Sequence, residues 1–508
     1  MAFTSVLFIR PDDIPGVDVE PAYFKDLNLD QVVQAMTRGR SEYNLAPFFY
    51  TSLHDVDAIL YRQEVFRDLG ETEVFAQIHT FGQKLRVMRE RLTQAEKRYY
   101  PYQKAAWFRD AVEVYCGAID DLASGLTDRP LASSGLCSFR EYLLQYRRSD
   151  GFTELLADTE LLRRELGSVH YRLHLKGQRI EVYPSADDQD YSAVIEKTFH
   201  KFKQGAVKQY RSTFRKDPDM NHVEASILDL VAKWYPEIFS HLQTYYTHRH
   251  DYLDPTIGRF DREIQFYLAV HEYVEGFKAR GRSFCYPEPS DSKKNIFAKD
   301  GFDLALAETL KMEPSAIVCN DFHLAGAERI LVVSGPNQGG KTTFARMFGQ
   351  LHYWANLGCP TPAHAARLMV WDRLLTHFER QEDLGALRGK LQDDLERIHD
   401  ILLVASSRSI IIMNEIFTST TLQDAIFLSR EILQRIQTLD SLAVCVTFIE
   451  ELATLSEKTV SMVSTMAQDD PTQRTYKVVR RPQDGRAYAI SIAEKYRVTY
   501  DWIQERIL

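Results

Sequence analysis

The chain has 508 residues, enough for two to four domains with a sizeable buried core. Hydrophobic residues make up 44% and charged residues 26%, the balance of an ordinary globular protein, and the net charge of −9 excludes a generally basic, polyanion-coating chain. Any nucleic-acid contact therefore has to come from a local basic patch. The cysteines (Cys116, Cys137, Cys285, Cys319, Cys359 and Cys445) are scattered without a close pair, which argues against a disulfide framework or a zinc site and for a reducing compartment. The first residues lack a basic region followed by a long apolar stretch, and no apolar run is long enough to span a bilayer, so the expectation is a cytoplasmic protein with no membrane partner.

Residues 1–21 form an N-terminal segment without a strong pattern. Residues 22–150 predict mostly helix. Leu27 to Met36 starts it, and Val56, Ile59, Leu60, Val65 and Phe66 continue at helical spacing. Phe75, Ile78, Phe81, Leu85 and Val87 mark a longer helix, which Tyr99-Tyr100-Pro101-Tyr102 interrupts before another at Trp107–Leu122. From Val169 to Tyr183 the pattern alternates about a turn at Lys176-Gly177-Gln178, which predicts a β-hairpin inside a helical region.

Helical spacing returns at Ile195, Phe199, Phe202, Ala206, Tyr210 and Phe214. The stretch 197–216 carries Lys197, Lys201, Lys203, Lys208, Arg211, Arg215 and Lys216 and no carboxylate. Lys201, Lys208 and Arg215 recur at heptad spacing and share one face. Such a face predicts salt-sensitive, sequence-independent contacts to nucleic-acid phosphates, with a plain solvated helix as the alternative. Val223–Tyr246 and Ile257–Ala279 predict two long helices joined by a short link. The polar stretch Gly281–Lys299 predicts a domain boundary. Strands and helices alternate over 300–508, which predicts an α/β domain with a mostly parallel sheet.

The strongest local signal is Gly335-Pro336-Asn337-Gln338-Gly339-Gly340-Lys341-Thr342-Thr343. It follows the apolar run Ile330–Ser334 and precedes a helical stretch from Phe344, the strand–loop–helix setting of a phosphate-binding loop. Glycines let backbone N–H groups wrap phosphates, and the helix N-terminus adds partial positive charge. Lys341 is placed to reach the β- and γ-phosphates and Thr342 to bind Mg²⁺. Ser409–Glu415 predicts a neighbouring core strand ending in the metal and water-positioning residues. Its first acidic position is the amide Asn414, which brings no charge to a metal shell, so weak Mg²⁺ binding and slow hydrolysis are expected. Glu415 is the residue placed to orient or deprotonate water. Ile317 and Phe322 are candidates for an adenine platform, with Asn320 and Asp321 between them as base or ribose contacts; a core role is the alternative for both apolar residues.

The loop Gly335–Thr343 resembles the form typical of the MutS mismatch-repair ATPases. Glu415-Ile416-Phe417-Thr418-Ser419-Thr420-Thr421 stands where that family has a Ser/Thr-rich loop, Phe378–Leu384 resembles its Q-loop region, and Val446–Leu452 resembles the strand and switch that follow. The tail Tyr488–Ala493 and the last helix resemble its helical dimerisation end. The resemblance implies a multidomain chain. A mostly α-helical lever region at 22–290, with a clamp insertion at about 165–220 around the hairpin, precedes a P-loop ABC-type ATPase domain at 300–508. It implies ATP and Mg²⁺ as ligands, a homodimer with each ATP between two chains, and DNA held by the clamp, in mismatch repair or related repair. The alternatives are a nucleotide-gated scaffold with little turnover, and a clamp that grips RNA or protein.

Departures from the family pattern belong to the same reading. No Phe-x-Glu wedge stands near residue 1, so mismatch-reading and connector domains are expected to be absent and recognition to proceed by shape or backbone. Phe448 stands at the switch histidine. The signature serine position falls at Gly389 beside Lys390, which is read either as a solvated helix residue or as the source of positive charge for the partner's nucleotide.

Overall fold

Apolar residues at three- and four-residue spacing recur over 72–167 and 222–261, and the chain folds there mainly as helices. The computed structural model describes residues 3–10, 19–177, 179–185, 220–290, 294–310, 313, 316–379, 389–467, 473–482 and 504. These divide into two units, one from residues 72–130 and 138–261 and the other from 1–71, 131–137 and 262–508.

In the helical unit, Thr72–Lys97 and Pro101–Thr127 pack along each other. Ile78, Phe81, Leu85 and Met88 of one helix and Val112, Tyr115, Ile119 and Leu122 of the other are buried. Each such side chain contributes about 2 kcal/mol through removal from water. Pro101 occupies the first turn of its helix, where its missing N–H is not needed. Ser149 caps the helix Asp150–Gly167 by accepting from the Phe152 N–H.

The expected hairpin is present: β1 (Tyr171–Lys176) pairs antiparallel with β2 (Arg179–Pro184). Alternation puts Arg172, His174, Lys176 and Arg179 on one face and Leu173, Leu175, Ile180 and Val182 on the other. Val182 packs at its root against Val231, Ala232 and Phe239. The single helix expected over Val223–Tyr246 is two helices, His222–Trp234 and Pro236–His248. Pro236 lacks the N–H needed by the ladder and its ring clashes with the preceding turn, so the break falls at Tyr235. The basic stretch carrying Lys197, Lys201, Lys208, Arg211 and Arg215 lies outside the described residues, as do Gln381–Asp383 and Tyr488–Ala493.

The second unit contains two sheets among the described residues. β3 (Glu288–Ser290), β4 (Ile296–Gly301), β5 (Asn320–Leu324) and β7 (Ala365–Met369) form a small mixed sheet in the order β3-β7-β4-β5. Sequence alternation does not announce this sheet. The polar stretch read as a domain boundary contributes β3 and part of β4 to it, inside one unit. The larger sheet comprises β6 (Ile330–Ser334), β8 (Leu374–His377), β9 (Ile410–Asn414), β10 (Leu442–Val446), β11 (Thr459–Met466) and β12 (Arg474–Arg480). Their order is β12-β11-β6-β10-β9-β8. Only the β11–β12 pairing is antiparallel. β6, β9 and β10 are wholly buried, which explains their unbroken apolar runs.

Residues 22–71 belong to this second unit and fold onto the helix Lys341–Asn356. Arg346 donates to the Asp26 carbonyl (3.0 Å), Gln350 to Leu27 (2.9 Å), Tyr353 to Phe49 (2.7 Å) and Asn356 to Leu53 (2.9 Å). The N-terminal segment is anchored too. Glu263 accepts from the Ser5 hydroxyl and the Val6 N–H, both at 2.8 Å. The fully buried Arg62 donates to the Leu7 carbonyl (2.9 Å) and to Leu357 (3.1 Å), just past the end of the Lys341–Asn356 helix, where a cation is favoured.

Candidate nucleotide-binding site

The register of the large sheet gathers three strand ends. Val446 of β10 lies opposite Val333 of β6 on one side and Asn414 of β9 on the other. The loop Gly335–Gly340 leaves β6 there and enters the helix at Lys341. Gly335 has φ +119° and Gly340 φ +89°, a region open to glycine. Gly335 and Gly339 also lack room for a side chain: an added Cβ at Gly335 would stand 2.9 Å from the Ser464 carbonyl, and one at Gly339 2.3 Å from the Ser464 hydroxyl. That hydroxyl donates to the Gly339 carbonyl at 2.6 Å, so β11 braces the loop from outside.

Lys341 is buried, with its ammonium against the Gly335 carbonyl (3.0 Å), the Pro336 carbonyl (3.4 Å) and Asn337 Oδ1 (3.3 Å). Glu415 Oε1 lies 3.7 Å away. Burial pulls the ammonium below the ordinary lysine range, and the Glu415 carboxylate pushes against that. A cation held by neutral carbonyls and one carboxylate is well placed to exchange partners for a phosphate. The Thr342 hydroxyl donates to Asn414 Oδ1 at 3.0 Å.

Glu415 and Phe417 have φ of +53° and +59°. Non-glycine residues held there store strain, and such strain gathers at functional sites. The Glu415 N–H donates to the Val446 carbonyl (2.9 Å), so the strand ends fix this conformation. Phe448 is half exposed just beyond β10.

A cavity of about 750 Å³ opens over the loop. The cavity is lined by Asn337, Gln338, Gly339, Gly340, Lys341, Thr342, Thr343 and Glu415, together with Leu306, Leu310, Ala316, Val318, Asn320 and Tyr476. Pro336 and Gly335 lie in the loop behind it. Neither Ile317 nor Phe322 lines the cavity: Phe322 is buried against Phe344, Phe348 and His352, the core role. The apolar wall belongs instead to their neighbours and to Tyr476. Tyr476 and Ser464 have no local signal, since each reads as one more residue of a strand far along the chain from Gly335.

Gly389 stands just before the helix Lys390–Val404. The Lys390 ammonium pairs with Glu379, and Arg397 donates to the Phe378 carbonyl at 3.2 Å, so this helix grips the end of β8. Among the described residues no group of three or more His, Cys, Asp or Glu side chains could hold a metal ion, and no helix is long and apolar enough to cross a membrane. A hydroxyl, an amide oxygen and one carboxylate at the strand ends suit a Mg²⁺ that keeps most of its water and leans on phosphate oxygens.

The comparisons with known proteins agree with this geometry. Residues 331–505 match MutS domain V. DNA mismatch repair protein MutS of Caldanaerobacter subterraneus subsp. tengcongensis is 25% identical over 244 residues, 47% of this chain and 28% of that protein. MutS of Orientia tsutsugamushi is 26% identical over 235 residues, 45% of this chain and 25% of that protein. MutS of Thermotoga maritima is 28% identical over 148 residues, 28% of this chain and 19% of that protein. The aligned part thus spans less than a third of each of these relatives. A strand–loop–helix of this form, beside a strained Asn-Glu strand end and inside the matched region, supports membership of the MutS family.

Proposed function

We propose that this chain is a MutS-like ATPase that couples ATP binding and hydrolysis to closure of a homodimer on DNA, in mismatch repair or related repair. The observation that carries it is the buried Lys341 ammonium, held by loop carbonyls 3.7 Å from Glu415 at the floor of an open cavity. The loop N–H groups and Lys341 bind the triphosphate, the Thr342 hydroxyl and Asn414 hold the metal position, and Glu415 orients water toward the γ-phosphorus. Mg²⁺, when bound, neutralises charge on the phosphate oxygens. Among the described residues that line the cavity Glu415 is the carboxylate, so it serves as the general base.

A second reading rests on Asn414 and Phe448: a nucleotide-gated scaffold that binds ATP and releases little phosphate. Turnover measured beside affinity separates the two. For the enzyme, Glu415→Gln keeps ATP binding and lowers phosphate release by about a hundredfold. Tight binding by the wild-type chain with no Glu415-dependent release favours the scaffold.

For DNA, the basic stretch 197–216 and the polar face of the hairpin (Arg172, Lys176, Arg179) supply phosphate contacts. Recognition is by backbone or shape rather than base edges. A gel-shift series with plain, mismatched, branched and single-stranded DNA, with and without ATP, identifies the substrate. Reversing Lys201, Lys208 and Arg215 to Glu abolishes duplex binding at low salt; unchanged binding removes the stretch from the interface.

A further inference from the structure

Asn320, at the start of β5, is buried, and both ends of its amide are committed to the backbone of β12. Its Nδ2 donates to the Tyr476 carbonyl at 3.3 Å, and its Oδ1 accepts from the Val478 N–H at 2.7 Å. The residue between this clip and the cavity is unusual. Tyr476 has φ +56°, a conformation a bulky aromatic residue keeps only where its surroundings impose it. On its other side Tyr476 abuts the start of the phosphate-loop helix: a Cβ added at Gly340 would lie 3.4 Å from the Tyr476 carbonyl oxygen and 3.6 Å from its Cα and Cβ. Tyr476 is thus pinned between Asn320 and Gly340, half exposed, and lines the cavity beside the phosphate loop. Asn320 lines the cavity as well, with one amide N–H and one acceptor position of its oxygen held by the backbone of β12.

We infer that Asn320 is a positioning residue for nucleotide recognition: it holds Tyr476 in the left-handed conformation that places its ring as the stacking surface for the base. The inference rests on the proposed nucleotide-binding reading of this cavity. The hydrogen bonds of the phosphate loop run to Lys341, Asn337 and Ser464 rather than to Asn320, so base and phosphate recognition are expected to be separable.

The test is calorimetric titration, with Mg²⁺, of ATP and of inorganic tripolyphosphate, on wild type, Asn320→Ala, Asn320→Asp, Tyr476→Ala and the Asn320→Ala/Tyr476→Ala double variant. Asn320→Ala should weaken ATP about tenfold, the scale of one base–aromatic stack, and leave tripolyphosphate within about twofold. Asn320→Asp, which keeps the acceptor for Val478, should fall between. The double variant should be no weaker than Tyr476→Ala, since both remove one stacking surface. An unchanged ATP affinity in Asn320→Ala, an equal loss for both ligands, or multiplied losses in the double variant would overturn the inference. If Asn320→Ala does not fold, Tyr476→Asn decides. It suits a left-handed backbone but has no ring, and wild-type ATP affinity there would equally overturn the proposal. Failure of wild type to bind either ligand would instead remove the nucleotide reading itself.

Discussion

Asn414 is where this site departs most from a charged metal pocket. Its amide oxygen takes the Thr342 hydroxyl at 3.0 Å, and in the proposed site it would offer a metal a dipole rather than a charge. A carboxylate at the same place, a few Å from the ion, is worth up to about 4 kcal/mol at an effective dielectric of 20. Asn414→Asp should therefore lower the Mg²⁺ concentration for half-maximal turnover by at least about tenfold. An unchanged Mg²⁺ dependence would place Asn414 outside the metal shell. The residues of the phosphate loop were legible because a local string of nine carries them, and the same holds for Asn414 and Glu415 at the end of an apolar run. Tyr476 and Ser464 were not legible, because only the pairing of β11 beside β6 brings them to Gly339 and Gly340. Phe322 stood between two roles for a related reason: an aromatic residue beside a nucleotide loop looks the same in sequence whether it faces the cavity or the core.

The helix Lys341–Asn356 shows what an element adds to a motif. Nearly all of it is buried, so the loop is mounted on a rod packed on several sides. His352 lies fully buried on this helix, its Nδ1–H donating to the Phe348 carbonyl (2.8 Å) and its ring against Phe322 and Phe348. Burial pushes its pKa down to about 4 from the ordinary 6.5. Because the folded value is depressed, the stability it contributes is complete above pH 6.5 and is lost as pH falls toward 4. The loss amounts to about 1.4 kcal/mol per pH unit in that window. His352→Gln should flatten the acid limb of a melting-temperature profile between pH 6.5 and 4; an unaltered slope would show that His352 titrates normally. The Pro236 break was readable in principle, since a proline inside a helical pattern ends the helix before it. The burial of Ser5–Phe8 was not, because a handful of residues has no period and their partners, Arg62, Glu263 and Tyr267, lie elsewhere in the chain.

For the whole molecule, sequence periodicity separated a helical half from an α/β half. It did not assign residues 22–71 to the unit that carries the phosphate loop, because helical spacing is the same whichever neighbour covers the apolar face. A homodimer with ATP between two chains would bring Lys390, held in the single chain by Glu379, to the partner's nucleotide. Lys390→Ala should then lower ATP-driven dimerisation and turnover together by about tenfold. Wild-type dimerisation and rate in that variant would leave Lys390 as a helix-end cation bracing β8.

The proposed function depends most on a triphosphate seated at the start of the Lys341–Asn356 helix. Equilibrium titration of Mg²⁺-ATP against wild type and Lys341→Ala tests this most directly. The predicted result is one nucleotide per chain, with affinity at least about tenfold weaker once the ammonium is gone. Equal affinity in the two proteins, or no uptake by wild type, would contradict it.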